Sequence, residues 1–404
     1  MALHTALRRR NLEFHLLLRC LSAASAVATA SPSAILSPSN PSAILTAKQK
    51  SRAALSLLKS ETDPSRIVDI CRAAALTSAS HLDRVALSSA ISKLSSSLCF
   101  SAIRSLVDDL LLSSKDHNPR FLSHAIVLFG QAGMLDDALR AFRSSPSCSS
   151  LNSLLFACIL SKNHSELAKI FRDYPTTYGV TPNLETYNIV IRSFAESGTT
   201  RSFYSVFEEM RKRNFKPNTT TFCNTLEGFY RELRFDEVER VLELMKKHDC
   251  HPGLTTCNVR IQALCKIGRS EQAKDLFREM VKSGMKPSWV TYNHLITGFC
   301  KEGNLNEAKR LYKEMRSKGC VAESGVYFTL IHYLCKDGDF EAALGVCEDT
   351  MARNWVPCFA IMEMPVNGLA SSSKVGEAKD LIKKVKERFP KGSEMWKEVE
   401  DGMQ

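Results

Sequence analysis

Four asparagines, Asn152, Asn188, Asn258 and Asn293, hold one place in a pattern that recurs about every 35 residues; Arg231, Lys266, Lys301 and Lys336 hold another, one period apart. An asparagine amide carries a donor and an acceptor side by side. A row of them can read the edges of single-stranded RNA bases, about one base per repeat. A row of cations at constant rise suits a phosphate backbone and gives salt-dependent, sequence-independent attraction. The plainer alternative for the cations is a solvated face such as any helical repeat presents. Both rows have gaps: Cys223 and Phe328 stand in the amide column, and Glu196 stands one repeat upstream of the cations.

The stretch from Trp289 to Glu323 shows what must position these side chains. Tyr292, Leu295, Ile296 and Phe299 are spaced by three and four, the signature of a helix with one apolar face. Gly303 breaks the pattern. Asn304 and Glu307 then read as the two halves of a capping box opening a second helix, whose apolar face is Leu305, Ala308, Leu311, Tyr312 and Met315. Lys318 and Gly319 close it. Val290, Asn293, Thr297 and Lys301 line the face of the first helix turned away from its apolar side. In a stack of such pairs the first helices line the concave surface, so each repeat would offer an amide and a cation to one groove.

The same unit recurs at Leu184–Asn218, Thr219–Gly253, Leu254–Ser288 and Ser324–Cys358. Gly198, Gly268, Gly303 and Gly338 occupy one repeat position, and Pro217, Pro252, Pro287 and Pro357 another. One helix pair cannot bury its own apolar face, so a fixed period of this length predicts an all-α solenoid.

These residues resemble the pentatricopeptide repeat family, organellar RNA-binding proteins of plants. The resemblance rests on Thr-Tyr-Asn at 186–188 and 291–293, Cys-Lys at 265, 300 and 335, and the Lys-Pro exits of the repeats, and it covers about two thirds of the chain. It implies a right-handed superhelix. It also implies that the amide at the fifth position acts with the last residue of its repeat. The pairs are then Asn152 with Asn183, Asn188 with Asn218, Cys223 with Gly253, Asn258 with Ser288, Asn293 with Glu323, and Phe328 with Cys358. By the same resemblance, Asn–Asn and Asn–Ser lean towards pyrimidines. About three positions are readable, too few to address one transcript uniquely. Val290 and Thr255, at the second position, would flank a base.

Lys50–Ala74, the shortened pair around Gly133, Ser150–Leu160 and the NGLA…VKERFP ending narrow the resemblance to short P-class members of plant mitochondria that are linked to the mitochondrial ribosome. The expectation is a non-enzymatic protein that binds single-stranded messenger or ribosomal RNA and supports mitochondrial translation, with mitochondrial ribosomal proteins as further partners. A protein-interaction scaffold and a transcript-specific stability or processing factor are the alternatives.

The rest of the chain fits that expectation. The 404 residues carry a net charge of +11, which favours an anionic partner. Residues 1–45 are rich in Arg, Ser and Ala, with Glu13 the one acid before Glu61, and read as an organellar transit peptide. The arginines favour the mitochondrion, with the plastid as the alternative. Residues 46–118 read as a divergent helical N-terminal cap, broken at Asp63-Pro64. Residues 119–390 read as the array, with pairs near 119–147, 148–183, 184–218, 219–253, 254–288, 289–323, 324–358 and 359–390, and 391–404 as a C-terminal tail. Met364-Pro365 is expected to disturb the start of the last pair.

Fourteen cysteines include no Cys-x2-Cys, and Cys265, Cys300 and Cys335 fall at one position of the first helix. They read as reduced core thiols. No metal site, cofactor, catalytic constellation, small-molecule substrate or membrane span is expected. The scattered histidines read as surface or packed groups, and the 14 residues after Pro390 leave no room for an appended nuclease or deaminase domain.

Overall fold

The computed structural model describes residues 46–77, 80–113, 119–353, 359–389 and 395–401. The transit-peptide reading of 1–45 and the partner role given to Cys358 fall outside them. Among the described residues all regular structure is helical. The chain divides into two compact units, one ending at Gly228 and the other starting at Phe229.

The first unit opens with Ala47–Ser60 and Pro64–Ala73, then His81–Ser96 and Phe100–Ser113. Asp63 caps the second helix through the Ser65 N–H at 3.2 Å, with Pro64 as the first helical residue, so the break read at this dipeptide is a helix start. The stretch that lacks the repeat motif is nonetheless built as helix pairs. It has its own buried polar anchor: Asp83, 8% exposed, accepts from the Ser51 hydroxyl and, at 3.1 Å, from that of Thr77. Pro119–Gln131 with Leu135–Ser144, Cys148–Leu160 with His164–Thr177, and Leu184–Ser197 with Phe203–Lys212 follow.

In the second unit the register is strict. First helices begin at 254, 289, 324 and 359, and second helices at 235, 270, 305, 340 and 375, each set in steps of 35. Each first helix packs on its own second helix and on the first helix of the next pair. Tyr292, Leu295, Ile296 and Phe299 are all fully buried, as the apolar spacing requires. Successive pairs come close at Gly298: a Cβ there would lie 2.5 Å from Ser270 Oγ and 2.6 Å from Cys265 Sγ of the preceding pair. The interhelix glycines take positive φ, +81° at Gly303, and Leu233 holds the equivalent place in its own repeat at +60°.

Two expectations change. Asn304 caps its helix through the Glu307 N–H at 3.2 Å, but Glu307 does not reach back to complete a box. Its carboxylate instead meets Arg310 at 2.6 Å and Lys274 of the preceding second helix at 3.3 Å, and the Arg310 guanidinium holds it below the usual carboxylate range. The Phe359–Ser371 helix runs through Pro365, which is buried within it. The tail also carries a short helix, Met395–Asp401, whose Trp396 is 4% exposed and packs edge-on against Phe359 at 4.7 Å.

Candidate nucleic-acid interface

A first helix of the repeat needs an acceptor for the backbone N–H of the residue before it and an acceptor cap for the N–H groups of its own first turn. A threonine at the third helical position supplies the first. Asn183 N–H donates to Thr186 Oγ1 at 3.0 Å, while Thr186 N–H donates to Asn183 Oδ1 at 3.0 Å. Asn218 and Thr221 repeat this at 3.1 and 3.0 Å. In the second unit Ser288 N–H donates to Thr291 Oγ1 at 3.1 Å. All three threonines are fully buried.

The threonine proton then leaves the repeat. Thr186 Oγ1 donates to Asn152 Oδ1 at 2.6 Å, Thr221 Oγ1 to Asn188 Oδ1 at 2.6 Å, and Thr291 Oγ1 to Asn258 Oδ1 at 2.8 Å. Each acceptor is the fifth-position asparagine of the preceding repeat. The same hydroxyls lie 3.1 Å from Asn183 Oδ1 and 3.0 Å from Asn218 Oδ1, but their shorter contacts are to the amide oxygens of the preceding repeat. The oxygen is held inward and the NH2 is the end left for other partners.

What those NH2 groups meet differs. Asn152 Nδ2 donates to Asn183 Oδ1 at 3.2 Å and to Glu185 Oε2 at 3.3 Å, and the residue is 5% exposed. Its amide is spent within the fold. Asn188 Nδ2 reaches Asn218 Oδ1 at a long 3.4 Å, and the residue stays partly exposed, so one N–H remains available. Asn258 and Asn293 are also partly exposed. Asn293 receives no threonine proton, because Val326 stands where the threonine would be, and its partner Glu323 is exposed.

Asn183, Asn218, Ser288 and Glu323 are therefore also the N-cap residues of the next first helix. The side-chain oxygens of Asn183 and Asn218 are engaged as caps, which leaves their amide nitrogens for anything outside. The threonine relay was within reach of the sequence. Thr221 and Thr291 follow Asn188 and Asn258 by 33 residues and Thr186 follows Asn152 by 34, a spacing visible in the letters, but only packing shows that the side chains meet.

Arg231, Lys266, Lys301 and Lys336 are all exposed and lie at or next to the C-termini of their helices, where a cation also complements the helix dipole. All four belong to the second unit. The ion pairs of that unit gather on the second helices instead: Lys274–Glu307, Lys309–Asp339 at 2.7 Å, Arg316–Asp349 and Lys384–Glu348 at 2.6 Å bridge successive pairs. Lys301 and Lys336 take part in none of these. Lys266 lies close enough to the half-buried His294 to add to the burial that pushes its imidazole down to about 4.

Burial pushes the Cys300 and Cys335 thiols up to about 12, so they are protonated packing groups. Among the described residues no cluster of three or more histidine, cysteine or acidic side chains could hold a metal, and no helix is long and apolar enough to cross a membrane.

Family models match the same stretch: the "PPR repeat" at 220–250 and 283–316, the "PPR repeat family" at 182–231 and 252–294, and the "Pentatricopeptide repeat domain" at 145–197. A mitochondrial pentatricopeptide repeat-containing protein of Arabidopsis thaliana is 56% identical over 88% of this chain and 90% of its own length. The Arabidopsis small ribosomal subunit protein mL103 (rPPR7) is 29% identical over 44% of this chain and 45% of its own length. Among solved structures, the maize pentatricopeptide repeat protein PPR10 superposes with a TM-score of 0.52 at 18% identity, covering 96% of this chain, which spans 58% of PPR10. That likeness gives the fold, an α-solenoid. With a relative so similar across nearly the whole of both chains, this chain belongs to the pentatricopeptide repeat family.

Proposed function

We propose that this protein is a non-enzymatic single-stranded RNA-binding protein of the mitochondrion that supports translation at the ribosome. The observation that carries the RNA reading is the pairing of two rows on the first helices of the second unit: partly exposed amides at Asn258 and Asn293, and exposed Lys301 and Lys336 outside the ion-pair ladder of the second helices. Amides with the oxygen held and an N–H outward favour bases that present an acceptor, as pyrimidines do at O2. We assign Asn188 with Asn218, Asn258 with Ser288 and Asn293 with Glu323 as base-facing. Asn152 with Asn183 comes last because its amide is satisfied internally. Arg231, Lys266, Lys301 and Lys336 are assigned to phosphates. Residues 1–45 are the import leader, 46–118 the cap, 119–390 the array and 391–404 the tail.

The mitochondrial location follows the relatives that carry that location in their names. The ribosomal reading draws on relatives named as small ribosomal subunit proteins, which match under half of this chain. A scaffold that binds no base is the second reading, favoured by the closed amide of Asn152. Gradient sedimentation of organelle lysate, with and without RNase, tests these. Co-migration with a ribosomal subunit, lost on RNase treatment, is expected. A free, RNase-sensitive particle would replace the ribosomal role with a transcript-specific one, and an RNA-free complex indifferent to RNase would leave the scaffold.

A further inference from the structure

The Ser324–Asp337 helix departs from its neighbours on the face where they carry amides. Phe328 stands in the asparagine column. His332 and Lys336 follow at intervals of four, so the three share one face. The core side of this helix is a separate set, Val326, Tyr327, Leu330, Ile331 and Leu334, each at most 4% exposed. Phe328 and His332 are only partly buried and belong to the other side. Their rings are stacked, 7° from parallel with centroids 6.2 Å apart. Tyr333 closes one edge, at 89° to His332 and 5.2 Å away, and Lys336 Nζ lies 6.0 Å from the Tyr333 ring.

We propose that Phe328 and His332 form a stacking platform for one nucleobase of single-stranded RNA, in the repeat that has lost its reading amide. A stacked pair of rings on the polar side of a helix presents its outer π face, and every base has a π face to lay on it. The occupant is a nucleobase rather than an apolar side chain because the platform continues the amide column of Asn258 and Asn293. It also shares its helix with the exposed cation Lys336, four residues beyond His332, and the exposed Lys301 holds the equivalent place one repeat earlier. Binding here is tolerant of base identity. It adds affinity and leaves selection to Asn188, Asn258 and Asn293. The inference rests on the RNA reading above.

The test is equilibrium binding of the full chain to labelled single-stranded oligo-U, oligo-C and oligo-A at fixed salt. Phe328→Ala should weaken all three by about tenfold with their ratios unchanged. Phe328→Trp should retain binding. Phe328→Leu keeps apolar bulk without the π face and should fall with the alanine variant, while its thermal unfolding stays close to that of the parent. If Phe328→Ala and Phe328→Leu bind as the parent does while Lys301→Ala/Lys336→Ala loses affinity, the platform is wrong and the RNA reading survives. A loss confined to one homopolymer would also overturn it, in favour of edge recognition. If the parent binds no oligonucleotide, the RNA reading itself fails. Should the leucine variant unfold early, Phe328→Tyr decides, because it preserves the ring: equal binding supports the platform and a tenfold loss removes it.

Discussion

Asn258 and Asn293 stand at the same position of adjacent repeats in one compact unit, and they are held differently. Asn258 receives the Thr291 proton at 2.8 Å; Asn293 faces a repeat that begins with Val326 in place of the threonine. One amide has its orientation fixed by its neighbour and the other can turn over. The difference teaches that the chemistry of a fifth-position amide is set by two repeats together. A table of fifth and last residues omits the third residue of the following helix, which decides whether the amide is a directed donor or an ambivalent group.

Removing the relay should have the largest effect. Thr291→Val strips the acceptor from the Ser288 N–H and the donor from Asn258 in a fully buried site, and should cost about 1–2 kcal/mol, read as a lower urea midpoint. An unchanged midpoint would mean that the hydrogen bonds contribute nothing net. Next, Asn258→Ala should cost about 1 kcal/mol, and Asn293→Ala only a few tenths, because nothing equivalent holds it. Equal costs would erase the distinction.

The comparison sharpens if the relay can be installed. Val326→Thr places a hydroxyl in a fully buried site beside an N-cap, Glu323, that has no side-chain cap bond. Buried Val→Thr changes ordinarily destabilise, and Val346→Thr, on a second helix, should cost about 1–2 kcal/mol. At position 326 the hydroxyl finds both partners, so the change should be close to neutral. In that background Asn293→Ala should become costlier by about 0.5–1 kcal/mol in a double-mutant cycle. A zero coupling would show that the two side chains never meet.

An effect that is silent at neutral pH and emerges only in acid concerns His294, next to Asn293 and without a counterpart at Val259. Its folded pKa lies near 4, below the ordinary 6.5, because of burial and the Lys266 charge. A depressed histidine pKa contributes stability that is whole above pH 6.5 and is lost as pH falls from there towards 4. His294→Gln should therefore flatten the decline of the melting temperature between pH 6.5 and 4.5, leaving a residue from His124, which burial also pushes down to about 4. An identical pH profile would remove His294 from the account.

The fold was legible because apolar spacing and turn glycines recur with the period itself. Tyr292, Leu295, Ile296 and Phe299 are a face in the sequence and a buried face in the structure. Capping was half legible. Asn304 was visible, but Glu307 has the choice of a backbone N–H or two cations, and local pattern cannot weigh Lys274 from 33 residues away. The proline at 365 looked like a breaker because single-residue rules ignore what tertiary packing will carry. At the candidate site the columns were legible and the engagement of each amide was not. Asn152, Asn188 and Asn258 look alike as letters, and only the distances separate a closed side chain from an open one.

The threonine relay also fixes where such a protein can be cut and rejoined. If the third residue of one first helix completes the amide of the pair before it, then the natural cassette does not start where the helix starts. A transplanted segment should run from the fourth residue of one first helix to the third of the next, as from Tyr187 to Thr221, so that Asn188 travels with Asn218 and the hydroxyl that holds them. Swaps made at the helix boundary would part the amide from the hydroxyl that holds it.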